Sequence, residues 1–136
     1  MSWDSITDGM TATRDFEITE ADMLAFATLA DDHNPLHLDG SYARSLGYDG
    51  AVVFGALIVA KISGLIGMQL PGKGGVWTGL KMDFRAPFYT GEAATLTGTV
   101  AHRSDATRMI LLKLRVDTAD RCIATGSADC VYRADD

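Results

Sequence analysis

From Ala51 to Met68 the chain offers water almost nothing: Lys61 and Ser63 are the only polar side chains in eighteen residues. A membrane span needs about 20 apolar residues without a charge, and this run is shorter and carries Lys61 inside it. A helix that is apolar on nearly every face in a globular chain belongs at the centre, covered by the rest of the molecule. Whatever else folds must be extensive enough to wrap around it.

The covering material follows directly. Pro71-Gly72-Lys73-Gly74-Gly75 breaks the helix, and it does not read as a phosphate-binding loop because no helix or Lys-Ser/Thr signature follows. Beyond it, Val76–Phe84, Glu92–Arg103, Thr107–Asp117 and Arg121–Arg133 are rich in Val, Thr, Leu and aromatic residues, the composition of strands. Ser104-Asp105 and Thr118-Ala119-Asp120 are connections of hairpin length, so neighbouring strands should pair antiparallel. Arg85–Gly91 interrupts the pattern, and Pro87 there fits an edge or a bulge. Ahead of the apolar run, Gly9–Ile18 reads as a weak first strand. Thr19 and Asp22 frame a helix start in the manner of a capping box, and Met23, Leu24, Phe26, Ala27 and Ala30 recur at helical spacing. Asn34 precedes Pro35, which turns the chain out of helix near Ala30. Asp39–Leu46 is a further short helix, stopped by Gly47. Met1–Asp8 has little pattern and reads as an ordered lead-in or a frayed end.

The expectation is therefore an α+β fold of one domain, residues 1–136: an antiparallel sheet wrapped around one long central helix. One helix cannot cover such a sheet entirely, so a dimer that extends the sheet is expected. Composition excludes several function classes. A formal charge of −6 and a pI near 4.9 disfavour nucleic acid and anionic membrane as partners. The first twenty residues contain Asp4, Asp8, Asp15 and Glu17 and no apolar run, so no secretory signal is read and a cytoplasmic location is expected. Cys122 and Cys130 are eight residues apart. On one strand they would be about 26 Å apart, far beyond disulfide reach, and are read as free thiols.

Chemistry concentrates between Asp31 and Asp39, where nine residues hold three carboxylates and two of the chain's three histidines. Asp32 and His37 are five apart on a turn pinned by Pro35, so both could face one cleft and share general acid–base work. The bland reading stands beside this: turn aspartates often cap local amides, and the histidine can be a satisfied polar residue. His33 and His37 have the spacing of a helical metal pair, but Pro35 breaks that helix and no further ligands are apparent, so no metal is expected. Gly55 inside the apolar run costs a helix interior about 1 kcal/mol, so it should mark close approach or the first turn. At a first turn its amide would be available to a developing oxyanion. Ser63 on its own reads as a filler bonding back to a carbonyl.

These residues resemble a known family. Asp32-His33-Asn34-Pro35-Leu36-His37-Leu38-Asp39 with Tyr42-Ala43 is similar to the hydratase motif of MaoC-like, (R)-specific enoyl-CoA hydratases. The likeness continues through Phe54-Gly55-Ala56-Leu57, Ser63–Gly67, Gln69–Gly74 and Phe84–Glu92, and so spans essentially the whole chain. The resemblance implies a hot-dog fold, usually dimeric. It also implies syn addition of water to a trans-2-enoyl thioester, giving the (R)-3-hydroxyacyl thioester, or the reverse dehydration, within fatty acid metabolism. On the matched positions it implies that Asp32 and His37 hold and activate the water and manage the proton passed to C2. It assigns the thioester carbonyl to the Gly55 amide and a supporting role to Ser63, while Asn34 shapes the turn. The substrate would be an acyl-CoA or acyl-carrier-protein thioester; chain length and carrier are not specified. The chemistry itself calls for no metal or organic cofactor. Phe54 departs from the pattern, because many members have histidine there.

Two other functions suit the same fold. A thioesterase would use a carboxylate to direct water at the carbonyl carbon, and a non-catalytic acyl-thioester binding module would be consistent with Phe54. Lys73, Lys81, Arg85, Arg103 and Arg108 are the candidates for contacts to the phosphates of the substrate's carrier, although such residues are more often solvated surface charges.

Overall fold

The structure is a computed structural model that describes residues 1–134. Its elements begin with β1 (Thr11–Phe16) and three helices, α1 (Glu20–Ala30), α2 (Pro35–Leu38) and α3 (Gly40–Ser45). The long helix α4 (Gly55–Met68) follows, and then β2 (Gly75–Phe84), β3 (Ala94–Ser104), β4 (Met109–Asp117) and β5 (Cys122–Tyr132). All pairings are antiparallel, in the order β1-β3-β4-β5-β2.

Alternation fixes which side of the sheet meets the helix. On β4 every second residue, Ile110, Leu112, Leu114 and Val116, is buried while its neighbours are mostly exposed. Ala94, Leu96 and Val100 on β3 are buried in the same alternation, between half-buried threonines. Against that face α4 packs Ile58, Ile62, Leu65 and Ile66, forming one continuous core. Central placement of α4 agrees with the sequence reading, but its burial is one-sided. Ala56, Ala60, Ser63 and Gly67 remain exposed and, at 100° per residue, form one stripe along the helix.

The helix ends follow the capping rules. The Thr19 hydroxyl accepts from the Asp22 amide at 3.1 Å and the Asp22 carboxylate accepts from the Thr19 amide at 2.9 Å. That bond to the Thr19 amide is the main reason the Asp22 carboxyl titrates below its usual range. Gly47, at φ +94, takes the left-handed conformation that ends α3 and that glycine adopts without strain.

One expectation needs correction, and one left between two readings is decided. The β3–β4 connection is not the two residues Ser104-Asp105 but the four residues 105–108, with Arg108 left-handed at φ 57. Asp105 is drawn out of the strand because it accepts from the Trp3 indole and the Arg103 guanidinium. Of the two readings of residues 1–8, the ordered lead-in is the observed one: Trp3 and Ile6 are buried, and Trp3 lies beneath Arg103 and Arg108. Arg103 donates to the Trp3 and Ile6 carbonyls at 2.6 and 2.7 Å, which commits it to this clamp rather than to a ligand phosphate.

Candidate active site

The turn after α1 is built to separate two adjacent carboxylates. Asp31 ends the helix in the left-handed conformation (φ 53), which aspartate tolerates better than most residues, and its side chain is 97% exposed. Asp32 is half-buried and accepts from the Asn34 amide at 3.1 Å. Asn34 then caps α2 by accepting from the Leu36 amide at 2.9 Å, with Pro35 in the first helical position. This single turn carries His37.

His37 is held from two sides. Its Nδ1 lies 2.7 Å from the Val52 carbonyl oxygen; a carbonyl only accepts, so Nδ1 bears the proton and the neutral ring presents the Nε2 lone pair. One face of the ring stacks on Phe54, centroids 4.1 Å apart at 24°. The Val52 carbonyl is itself fixed: its residue donates to the Leu36 carbonyl at 3.0 Å and bridges to Tyr89, and Val53 donates to the Phe88 carbonyl at 2.8 Å. Glu92 accepts from the Tyr89 amide and from Arg121, which ties the 85–91 loop down behind that segment. Sequence reasoning missed this backing; its one trace was the proline-interrupted stretch between two strands.

Gly55 is the first residue of α4, and Phe54 gives it no side-chain cap. The first amides of a helix have no intrahelical acceptor, so the donor expected there is in position. A Cβ on Gly55 would lie 2.8 Å from the Phe84 ring, so a larger residue there requires that ring to move. His37, Gly55, Val53, Ile58, Phe84 and Phe88 line a cavity of about 250 Å³. Its walls are hydrocarbon except at the imidazole and the helix start. Ser63 is not brought to this cavity. It sits about 12 Å further along α4, exposed, with no side-chain hydrogen bond among the described residues.

The other histidines lie apart: His33 is exposed beside Asp31, and His102 is exposed on β3. Burial pushes the Cys130 thiol up to about 11, which makes it a poor nucleophile. No group of metal ligands occurs among the described residues.

The match to a family model decides the relationship: residues 4–120 fit the MaoC like domain. The chain belongs to the MaoC-like family. A curated (R)-specific enoyl-CoA hydratase of Aeromonas caviae is 34% identical over 129 residues, covering 94% of this chain and 96% of that protein. A second enzyme of that name, from Rhodospirillum rubrum, is 28% identical over 132 residues, 97% of this chain and 92% of that protein. Among solved structures, the A. caviae (R)-hydratase superposes with a TM-score of 0.89 at 32% identity, covering 94% of this chain and 98% of that one. The hot-dog fold implied by the sequence motif is thus the observed one.

Proposed function

We propose that this MaoC-like protein is a lyase that adds water across trans-2-enoyl-CoA to give (R)-3-hydroxyacyl-CoA, and catalyses the reverse dehydration. The observation that carries the reading is one apolar cavity lined by both a tethered imidazole and the start of α4. In this mechanism the acyl group lies against Ile58, Phe84 and Phe88 with its carbonyl oxygen on the Gly55 amide. The Asp32 carboxylate accepts a hydrogen bond from the hydrogen that stays on the water oxygen, and His37 Nε2 takes the other proton as the oxygen bonds to C3. The electron pair of the C2–C3 double bond moves toward the carbonyl oxygen, where the amide stabilises it. The proton on Nε2 then passes to C2 on the same face, and the enzyme returns to its starting state.

Arg85 is the remaining cation best placed for the carrier's phosphates. With Tyr48 and Pro87 it lines a surface recess that shares Val52, Phe84 and Ala86 with the reaction cavity. Ser63 belongs to this proposal only through a second copy of the chain, since it faces away on the exposed stripe of α4. That stripe and the free edge of β2, with Val76, Leu80 and Phe84 exposed, support a homodimer. A cytoplasmic location accords with two free thiols on one strand. No helix among the described residues is long and apolar enough to cross a membrane.

Hydration of crotonyl-CoA, followed as loss of enoyl absorbance with chiral analysis of the product, tests the function. Asp32→Asn is expected to lose at least ~10²-fold in kcat, a usual size for a general acid–base group. Full activity in that variant would remove Asp32 from the mechanism. Release of free thiol would point to a thioesterase, and tight butyryl-CoA binding with neither reaction would point to a binding module. The same acyl group on acyl carrier protein is the second substrate to assay.

A further inference from the structure

Two cavities meet at His37, and their linings differ in kind. The first is the hydrocarbon-walled cavity of Gly55. The second, about 270 Å³, lies between α1 and the turn, with Glu20, Leu24, Gly40, Ala51 and Thr90 in its wall. Of the residues lining these two spaces, His37 alone lines both.

The reaction proposed above, on which this inference rests, consumes one water in each turnover. A bound acyl thioester fills the Gly55 cavity and blocks the approach from that side. The reacting water therefore needs another path to the imidazole. We infer that the cavity between Glu20 and Thr90 is a solvent inlet, which feeds water to His37 while the acyl chain occupies the opposite side. A buried water needs two to four polar partners and occupies about 30 Å³. The inlet offers a carboxylate, a hydroxyl, the imidazole and nearby main chain, with room for several molecules. The Gly55 cavity offers little beyond the imidazole and the helix start, and suits hydrocarbon instead. In the dehydration direction the released water leaves by the same path.

A crystal structure with butyryl-CoA, which is saturated and adds no water, tests the division directly. Ordered waters running from Glu20 or Thr90 to His37, with the acyl chain beside Gly55, are expected. A dry inlet, or the acyl chain inside it, overturns the inference. Kinetics give an independent arm. Leu24 is 56% exposed on α1, outside the catalytic groups, and Leu24→Trp places an indole across the inlet. The expected result is a fall in kcat of at least about ten-fold with KM changed by less than about two-fold, because acyl binding lies elsewhere. A kcat within about two-fold of the wild-type value overturns the inlet. Failure of the wild-type protein to hydrate crotonyl-CoA overturns the proposed function instead; the crystal judges the inlet separately.

Discussion

Phe54 joins the start of the long helix to the imidazole. Its backbone precedes Gly55 at the start of α4, and its buried ring stacks on His37 and packs against Phe26 with centroids 4.8 Å apart. Aromatic pairs of this kind contribute about 0.5–1.5 kcal/mol beyond area burial, enough to hold one ring orientation. The chain clamps its imidazole by edge and face. Phe54→Leu should lower kcat about ten-fold with little change in KM, whereas Phe54→Tyr should keep most of the activity. NMR supplies the structural control: the upfield ring-current shift of the His37 ring protons should vanish in Phe54→Leu and persist in Phe54→Tyr. The turn that carries Asp32 and His37 was legible in the sequence because Asn34-Pro35 ends one helix and starts the next. The Phe54 clamp and the Val52 tether were not, since both depend on contacts between α2 and a segment fifteen residues later.

The short helix α2 shows how a local rule reaches the chemistry. It has four residues and would not persist alone in water; the Asn34 cap and Pro35 start it, and contacts from Val52 finish it. Asn34→Ala should cost about 1 kcal/mol of stability, the usual size for a lost cap, measurable by urea denaturation. Activity should fall by more than that stability loss explains, because the same turn orients both Asp32 and His37. Elements of this kind were only partly readable. The α1 cap and the strand positions followed from capping and composition, whereas the turn at 105–108 did not, because its shape is set by Trp3 from the far end of the chain.

Across the whole molecule, the apolar run was the best guide, and also misled in one respect. It correctly placed α4 against the sheet, but its all-round apolarity implied full burial, and the protomer leaves the Ala56-Ala60-Ser63-Gly67 stripe open. Small residues there permit close approach of another helix, which is where the proposed homodimer has its seam. Ala60→Arg should therefore convert the species seen by analytical ultracentrifugation from dimer to monomer, with the far-UV circular dichroism unchanged. A dimer that survives this substitution would move the interface to the free edge of β2.

The N-terminal clamp has an optical consequence. Partners of Trp3 include Arg103 on β3, Asp105 and Arg108 in the turn between β3 and β4, and Tyr132 on β5. Asp105 alone is 102 residues away in sequence. The indole cannot be shielded until those strands have assembled and the lead-in has docked on them. Trp77 lies on the edge strand β2, where its indole donates to the Gly79 carbonyl and its ring packs against the core as β2 pairs with β5. In a refolding trace the emission of the two tryptophans would mark different moments: Trp77 the shaping of an edge, Trp3 the closing of the molecule.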